Sequence, residues 1–218
     1  MTRRQHMGRR AAVVLCVAAA LVGPGSTAGA SAEAPVAAGL SPRADALVYV
    51  ADLHSDTLSV VGTRTGAVVD SIPIGKGPDS VAVTPDGARL HVTNSAADTV
   101  SVIDARARTV TGSITIGSGP TALVSSSDGR QVHVADIGSD DTSVIGTRRR
   151  AVTATVAVGH GPNGLAVAPD CSRVHLGNFD SDTLSVVDTS TARTTDTVPV
   201  GDGPTGMAAP GTARGPRT

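Results

Sequence analysis

Leu90-His91-Val92-Thr93-Asn94, then Asp98-Thr99-Val100-Ser101-Val102-Ile103-Asp104, then Gly117-Ser118-Gly119-Pro120: this stretch recurs along the chain at a fixed spacing of 42 residues, and the recurrence decides the fold. The glycine-proline segment returns as Gly75-Lys76-Gly77-Pro78, Gly159-His160-Gly161-Pro162 and Gly201-Asp202-Gly203-Pro204. Tyr49, His91, His133 and His175 keep the same step. A period of this size marks a repeat architecture in which each unit buries its apolar face against its neighbours.

Within one period the pattern alternates, as a strand does. Leu90-His91-Val92-Thr93, Val100-Ser101-Val102 and Val110-Thr111 through Ile114-Thr115-Ile116 are short runs rich in Val, Ile and Thr, and Thr121 to Ser126 gives a fourth after the proline. Strands are expected near 47–51, 57–61, 67–73 and 79–84, with equivalents every 42 residues. Four strands in such a period match one propeller blade. Pro85-Asp86-Gly87 and Ser127-Asp128-Gly129 suit tight turns, because proline fixes φ and glycine accepts a positive φ. The third copy, Pro169-Asp170-Cys171, puts a cysteine where glycine is expected, which predicts local strain or a different turn.

These residues resemble the YVTN-type β-propeller repeat family over roughly residues 46–209. The resemblance implies an extracellular or cell-surface propeller, often of seven blades and usually without an established reaction. Two departures stand out. The leading tyrosine survives as Tyr49 and is histidine in the other repeats, and the chain holds four repeats rather than seven. The expected fold is therefore all-β, with four four-stranded antiparallel blades. An open arc is favoured over a closed ring, because a core with one Tyr, one Phe and no Trp lacks the aromatics to fill a tight ring. The first repeat has no good inner strand, while Thr205-Gly206-Met207-Ala208-Ala209 is a surplus one. An open arc would leave two aliphatic faces in water and favour pairing with a second copy.

The amino terminus reads as a secretory signal over residues 1–32. Arg3, Arg4, Arg9 and Arg10 precede an apolar run from Ala11 to Val22, and small residues at Ala28-Gly29-Ala30 and Ala30-Ser31-Ala32 offer cleavage sites. No Phe-Leu pair follows either arginine pair, so general secretion is expected rather than the twin-arginine route. Removal of this segment takes four arginines and no acid, so the formal charge of −1 falls by four. It also leaves Cys171 as a lone thiol, unable to form an internal disulfide. Residues 33–45 read as a linker and 210–218 as a disordered tail. The expected product is secreted, extracellular or cell-wall associated, with no membrane span after cleavage.

A four-strand meander sorts the loops onto two rims. One collects Asp52, Asp56, Asp79, Asp98, Asp136, Asp140, Asp141, Asp180, Asp182 and Asp202, opposed by Lys76. The other collects Arg64, Arg89, Arg106, Arg108, Arg130, Arg148, Arg149, Arg150, Arg173 and Arg193, diluted by Asp86, Asp104, Asp128, Asp170 and Asp188. The arginine rim is the candidate face for an anionic polymer, through its persistent field; polar loops that merely solvate both rims are the plainer reading. Specific nucleic-acid recognition is not expected.

No metal or cofactor site is expected. His91, His133 and His175 sit in successive blades, and sheets pack ~10 Å apart, far beyond the ~2.1 Å zinc–nitrogen bond; they read as structural side chains wedged between blades. Asn178-Phe179-Asp180-Ser181-Asp182 spaces oxygens as a calcium loop does, but Thr183 and Thr189 replace its glycine and glutamate. Capping of the hairpins explains the Asp and Asn at 52, 94, 136 and 178. Gly75-Lys76-Gly77 lacks the Ser/Thr and the helix of a phosphate loop. Catalytic residues are expected to break a repeat, and Ser80, Ala82, Ala122, Val124, Gly164, Ala166, Gly206 and Ala208 on the inner strands are mostly inert. The chain reads as a non-enzymatic binding or scaffold module. The alternatives are a lactonase-like propeller hydrolase and a truncated fragment of a larger propeller.

Overall fold

A computed structural model describes residues 46–209. The signal peptide, the linker and the carboxy-terminal tail expected from the sequence lie outside the described residues. Fifteen strands follow in chain order, and no helix interrupts them among the described residues. Blade 1 holds β1 (Leu47–Asp52), β2 (Thr57–Gly62) and β3 (Ala67–Pro73). Blade 2 holds β4 (Pro78–Val83), β5 (Arg89–Asn94), β6 (Thr99–Asp104) and β7 (Thr109–Thr115). Blade 3 holds β8 (Pro120–Ser125), β9 (Gln131–Asp136), β10 (Asp141–Gly146) and β11 (Ala151–Ala157), and blade 4 holds β12 (Pro162–Val167), β13 (Arg173–Asn178), β14 (Thr183–Asp188) and β15 (Arg193–Pro199).

Each blade is an antiparallel meander of neighbouring strands, so the strand periods read from the sequence hold almost residue for residue. The first sheet contains three strands over the described residues, and the other three sheets contain four. Residues 205–209, the surplus strand of the sequence reading, pair with no sheet. One irregularity repeats in every blade: the register slips by a residue between Val60 and Val61, Val102 and Ile103, Val144 and Ile145, and Val186 and Val187. The extra residue is a bulge, which twists the outer strand. In three blades it is a threonine (Thr111, Thr153, Thr195) whose Oγ1 donates to the carbonyl of Val102, Val144 or Val186 at 3.1, 3.1 and 3.2 Å.

The core lies between blades rather than within them. Tyr49, Leu58, Val60 and Ile72 of blade 1 pack on Val81, Leu90, Val92 and Ile103 of blade 2. Val100, Val102 and Ile114 pack on Leu123, Val132, Val134 and Ile145 of blade 3. Ala135, Val144 and Val156 then meet Val174, Leu176 and Val187 of blade 4. Each fully buried Leu or Ile in these seams contributes about 1.5–3 kcal/mol of transfer free energy, offset by the entropy of ordering it. Among the described residues the four blades make three seams and none joins blade 4 to blade 1, so they form an open arc rather than a ring.

His91 and His133 lie inside the second and third seams, both almost fully buried. His91 leaves Nδ1 without a hydrogen-bond partner, and His133 leaves both ring nitrogens so. Burial pushes both pKa values down to about 4, so the rings are neutral spacers, as expected from sheet spacing. His175, the next copy, faces the open side of blade 4 and is half-buried.

Candidate functional site

The aspartate rim is built from structural clamps. Asp56, Asp98, Asp140 and Asp182 each occupy a left-handed turn position, with φ of 55, 52, 56 and 54°. Asp tolerates that region better than most side chains. From there the four Oδ1 atoms accept the amides of Gly77, Gly119, Gly161 and Gly203 at 2.9, 2.8, 2.9 and 2.8 Å. Every bond ties the β1–β2 hairpin of one blade, or its equivalent, to the loop that enters the next.

The two glycines of each Gly-x-Gly-Pro loop have separate reasons. A Cβ on Gly75 would lie 2.5 Å from the Asn94 side chain, one on Gly117 would lie 2.7 Å from Asp136 Oδ2, and one on Gly159 would lie 2.5 Å from Asn178 Nδ2. The second glycine (Gly77, Gly119, Gly161, Gly203) has φ between 60 and 68°, where a side chain is strained. Under the first glycine a polar knot closes each hairpin. Asn94 Nδ2 donates to Thr99 Oγ1 and Ser101 Oγ at 3.0 and 2.9 Å, and Asn178 Nδ2 donates to Thr183 Oγ1 and Ser185 Oγ at 2.9 Å each. These bonds and the Asp182 clamp engage Asn178 and Asp182 of the calcium-like segment in hairpin closure.

Blade 3 breaks this pattern. Asp136 stands where blades 2 and 4 have Asn, and Asp141 stands where the other blades have Thr57, Thr99 and Thr183. The two carboxylates are directly opposed across β9 and β10. Ser143 Oγ donates to Asp136 Oδ2 at 2.6 Å, while Oδ1 of Asp136 and Oδ1 of Asp141 are buried without a partner. Burial, reinforced by the charge of Asp141, pushes the Asp136 carboxyl far above its usual range, so it holds a proton near neutral pH. Among the described residues no group of three or more His, Cys, Asp or Glu is placed to hold a metal ion.

On the opposite rim, the turns joining β4 to β5 and β6 to β7, with their equivalents, come together. Thr147 Oγ1 donates to the carbonyls of Gly129 and Arg130 at 2.7 and 3.1 Å, which fastens the two turns of blade 3. Arg130, Arg148 and Arg149 then line an open cleft of about 520 Å³ with Gln131, Gly146 and Thr153. Arg173 lines a second cleft of about 540 Å³ with Asp170 and His175, and Arg89 lines a third of about 330 Å³ with Asp86 and Asp128. Arg108 turns back to Asp70 at 3.3 Å across the first seam, and Arg130 Nε lies 3.7 Å from Asp128. Arg64 and Arg106 are exposed in the turns of their own blades, Arg193 is exposed at the start of β15, and Arg150 is exposed beside Arg149 in the blade 3 turn.

The turn acids dilute this rim. Asp86, Asp128, Asp170 and Asp188 accept hydrogen bonds from their own turns, through Thr84, Arg130, Ser172 and Ser190 first, which lowers their pKa values. They remain ionised at neutral pH. The basic character is therefore concentrated on the blade 3 turn, where Arg148, Arg149 and Arg150 are consecutive. Cys171 keeps the turn geometry of Gly87 and Gly129, with φ of 58° against their 68°, so strain and not a different turn is the outcome of the cysteine. Its Sγ lies 2.8 Å from Ser127 Oγ of blade 3.

The family model for YNCE-like β-propellers matches residues 6–128. No curated protein matches the chain. Among solved structures, hydrazine synthase of Kuenenia stuttgartiensis is 26% identical with a TM-score of 0.66, over 70% of this chain and 45% of that one. A functionally unknown protein from Desulfotomaculum acetoxidans DSM 771 is 16% identical with a TM-score of 0.63, over 75% of this chain and 58% of that one. The chain thus spans about half the length of these structures. With a repeat that builds blades, seams that lie between them and a family match over more than half of its length, the chain belongs to the YNCE-like β-propeller family.

Proposed function

We propose that this chain is a secreted, non-enzymatic binding module of YVTN type, whose arginine rim takes anionic polymers at the cell surface or cell wall. The observation that carries the reading is the cleft of Arg130, Arg148 and Arg149, open to solvent and continuous with Arg150. Guanidinium groups suit this role because they stay charged and grip carboxylate or phosphate oxygens with paired donors. The opposite rim supports the assignment of sides: its clamp aspartates are committed to loop amides, whereas the blade 3 arginines project from a turn.

The experiment is binding of a polyanion series, such as polyphosphate, heparin and a teichoic-acid polymer, at rising salt. Binding through this rim weakens steeply as salt rises, because the screening length is ~8–10 Å at physiological strength. Reversal of Arg148, Arg149 and Arg150 to Glu removes it. Affinity that is indifferent to salt and to the triple reversal would refute the reading.

A further inference from the structure

The two ends of the arc carry the two halves of a seam that the molecule already makes three times. On the open side of blade 4, Val198 is 40% exposed, whereas its repeat equivalents Ile72, Ile114 and Val156 are 4, 7 and 4% exposed inside seams. Leu184 and His175 are half-buried there, whereas Val100 and His91 at the matching positions of blade 2 are buried. On the open side of blade 1, Val48, Val50 and Val61 are half-buried, and their equivalents Leu90, Val92 and Ile103 are fully buried. Because the repeats are alike, the free face of blade 4 has the shape and chemistry that fit the free face of blade 1.

The missing strand is the second, independent observation. Among the described residues blade 1 has no inner strand, and the residues after β15 lie against β12 and β13, where the inner strand of a following blade belongs. A methyl group placed on Gly177 would lie 3.0 Å from Met207 Cε and 3.2 Å from Pro204 Cβ, and one placed on Gly164 would strike the Thr205 carbonyl. Met207 therefore covers blade 4 as its repeat equivalents Val81 and Leu123 cover blades 1 and 2 in the first two seams. Among the described residues its backbone pairs with no strand, and the inner edge of β1 is equally unpaired.

We infer that a second copy of this chain docks end to end, blade 1 of one copy on blade 4 of the other, with residues 205–209 supplying an inner strand along the free edge of β1. The register follows from β4 and β5, where Val81, Ala82 and Val83 oppose Val92, His91 and Leu90. Transferred to the joint, Met207 opposes Val50, Ala208 opposes Tyr49 and Ala209 opposes Val48 of the second copy. Each joint restores one seam and one four-stranded blade. Two joints related by a twofold axis close eight blades, at the upper end of the common propeller range.

Sedimentation and light scattering of the full chain test the state directly. A species of twice the 21.6 kDa chain that dissociates on dilution is expected. Val198→Arg places a charge on a side chain that is exposed in the single chain, so folding survives while the dissociation constant rises at least about tenfold. The strand exchange is read with single cysteines, Val48→Cys in one batch and Ala209→Cys in another, both with Cys16→Ser and Cys171→Ser. Opposed strand positions lie about 4.5–5.5 Å apart, within disulfide reach. Mixed batches are expected to give an oxidised covalent dimer containing one chain of each. A monomer at every concentration, a dimer indifferent to Val198→Arg, or a disulfide that forms within one chain of the double variant Val48→Cys/Ala209→Cys and not between mixed singles would each overturn the proposal.

Discussion

Acidification should destabilise this propeller along a slope that Asp136 halves, and Asp136→Asn is the variant that exposes it. His91 and His133 have folded pKa values near 4 against 6.5 for the free side chain. Between those values the unfolded chain binds both protons and the folded chain binds neither, so stability falls as pH drops. Asp136 acts with the opposite sign. Its folded pKa is raised, so the folded chain keeps a proton that the unfolded chain has lost above its carboxylate pKa. Across pH 4–6.5 the balance is two protons taken up by the unfolded state against one held by the folded state. The net of one proton corresponds to about 1.4 kcal/mol lost per unit of acidification. Asp79, also raised by burial, reduces the slope further in the lower part of the window. Asn at 136 restores the residue of blades 2 and 4, removes the opposing proton and doubles the slope to about 2.7 kcal/mol per unit. It also removes a buried carboxyl with an orphan oxygen, so the variant is the more stable protein at pH 7 and above. Urea unfolding at half-unit steps from pH 4.5 to 7.5 measures both slopes. Equal slopes in the two proteins, or stability that rises on acidification, would refute the assignment of neutral histidines and a protonated Asp136.

Cys171→Gly should stabilise the protein by roughly 1 kcal/mol: relief of a left-handed side chain gives about 1–2 kcal/mol, and the freer unfolded chain returns up to about 1. Thermal unfolding checks it, and a lower midpoint would contradict the strain reading. Gly117→Ala should cost about 1–3 kcal/mol, because its Cβ would strike Asp136 and Ser139, whereas Gly201→Ala meets nothing within 4 Å and should be close to neutral. Matched denaturant curves of the two variants decide whether the first glycine of the loop is kept for close approach.

Much of this architecture was legible because the repeat makes each residue vote several times. Alternation in Leu90–Thr93 and Val100–Ile103 placed the strands, and Pro-Asp-Gly placed the turns, since φ > 0 at Gly87 and Gly129 is a local demand. The reading of the histidines as spacers between blades holds for His91 and His133 but not for His175, which among the described residues has no further blade packed on it and lines an open cleft. The clamp from Asp98 to Gly119 was not legible, because nothing local to an aspartate names an amide 21 residues away. The Asp136–Asp141 pair had a signal that went unread: Asp141 is the single departure from Thr57, Thr99 and Thr183 at that position. The rim assignment of the arginines was legible from strand reversal, but their separation into the blade 3 cleft and the inward-turned Arg108 depends on which partners each side chain reaches.

The aspartate clamps also bear on how the chain reaches its fold. Each reaches 21 residues along the sequence, and each seam joins segments one period apart, so closing any contact demands a short loop. Loop-closure entropy stays small and does not grow as blades are added. A chain emerging from its amino terminus can therefore lay down one blade, offer its hairpin aspartate as the docking point for the next loop, and proceed outward without waiting for distant partners. Duplication or loss of a whole 42-residue unit leaves every remaining clamp and seam intact, which makes blade number the easiest property of such a chain to change.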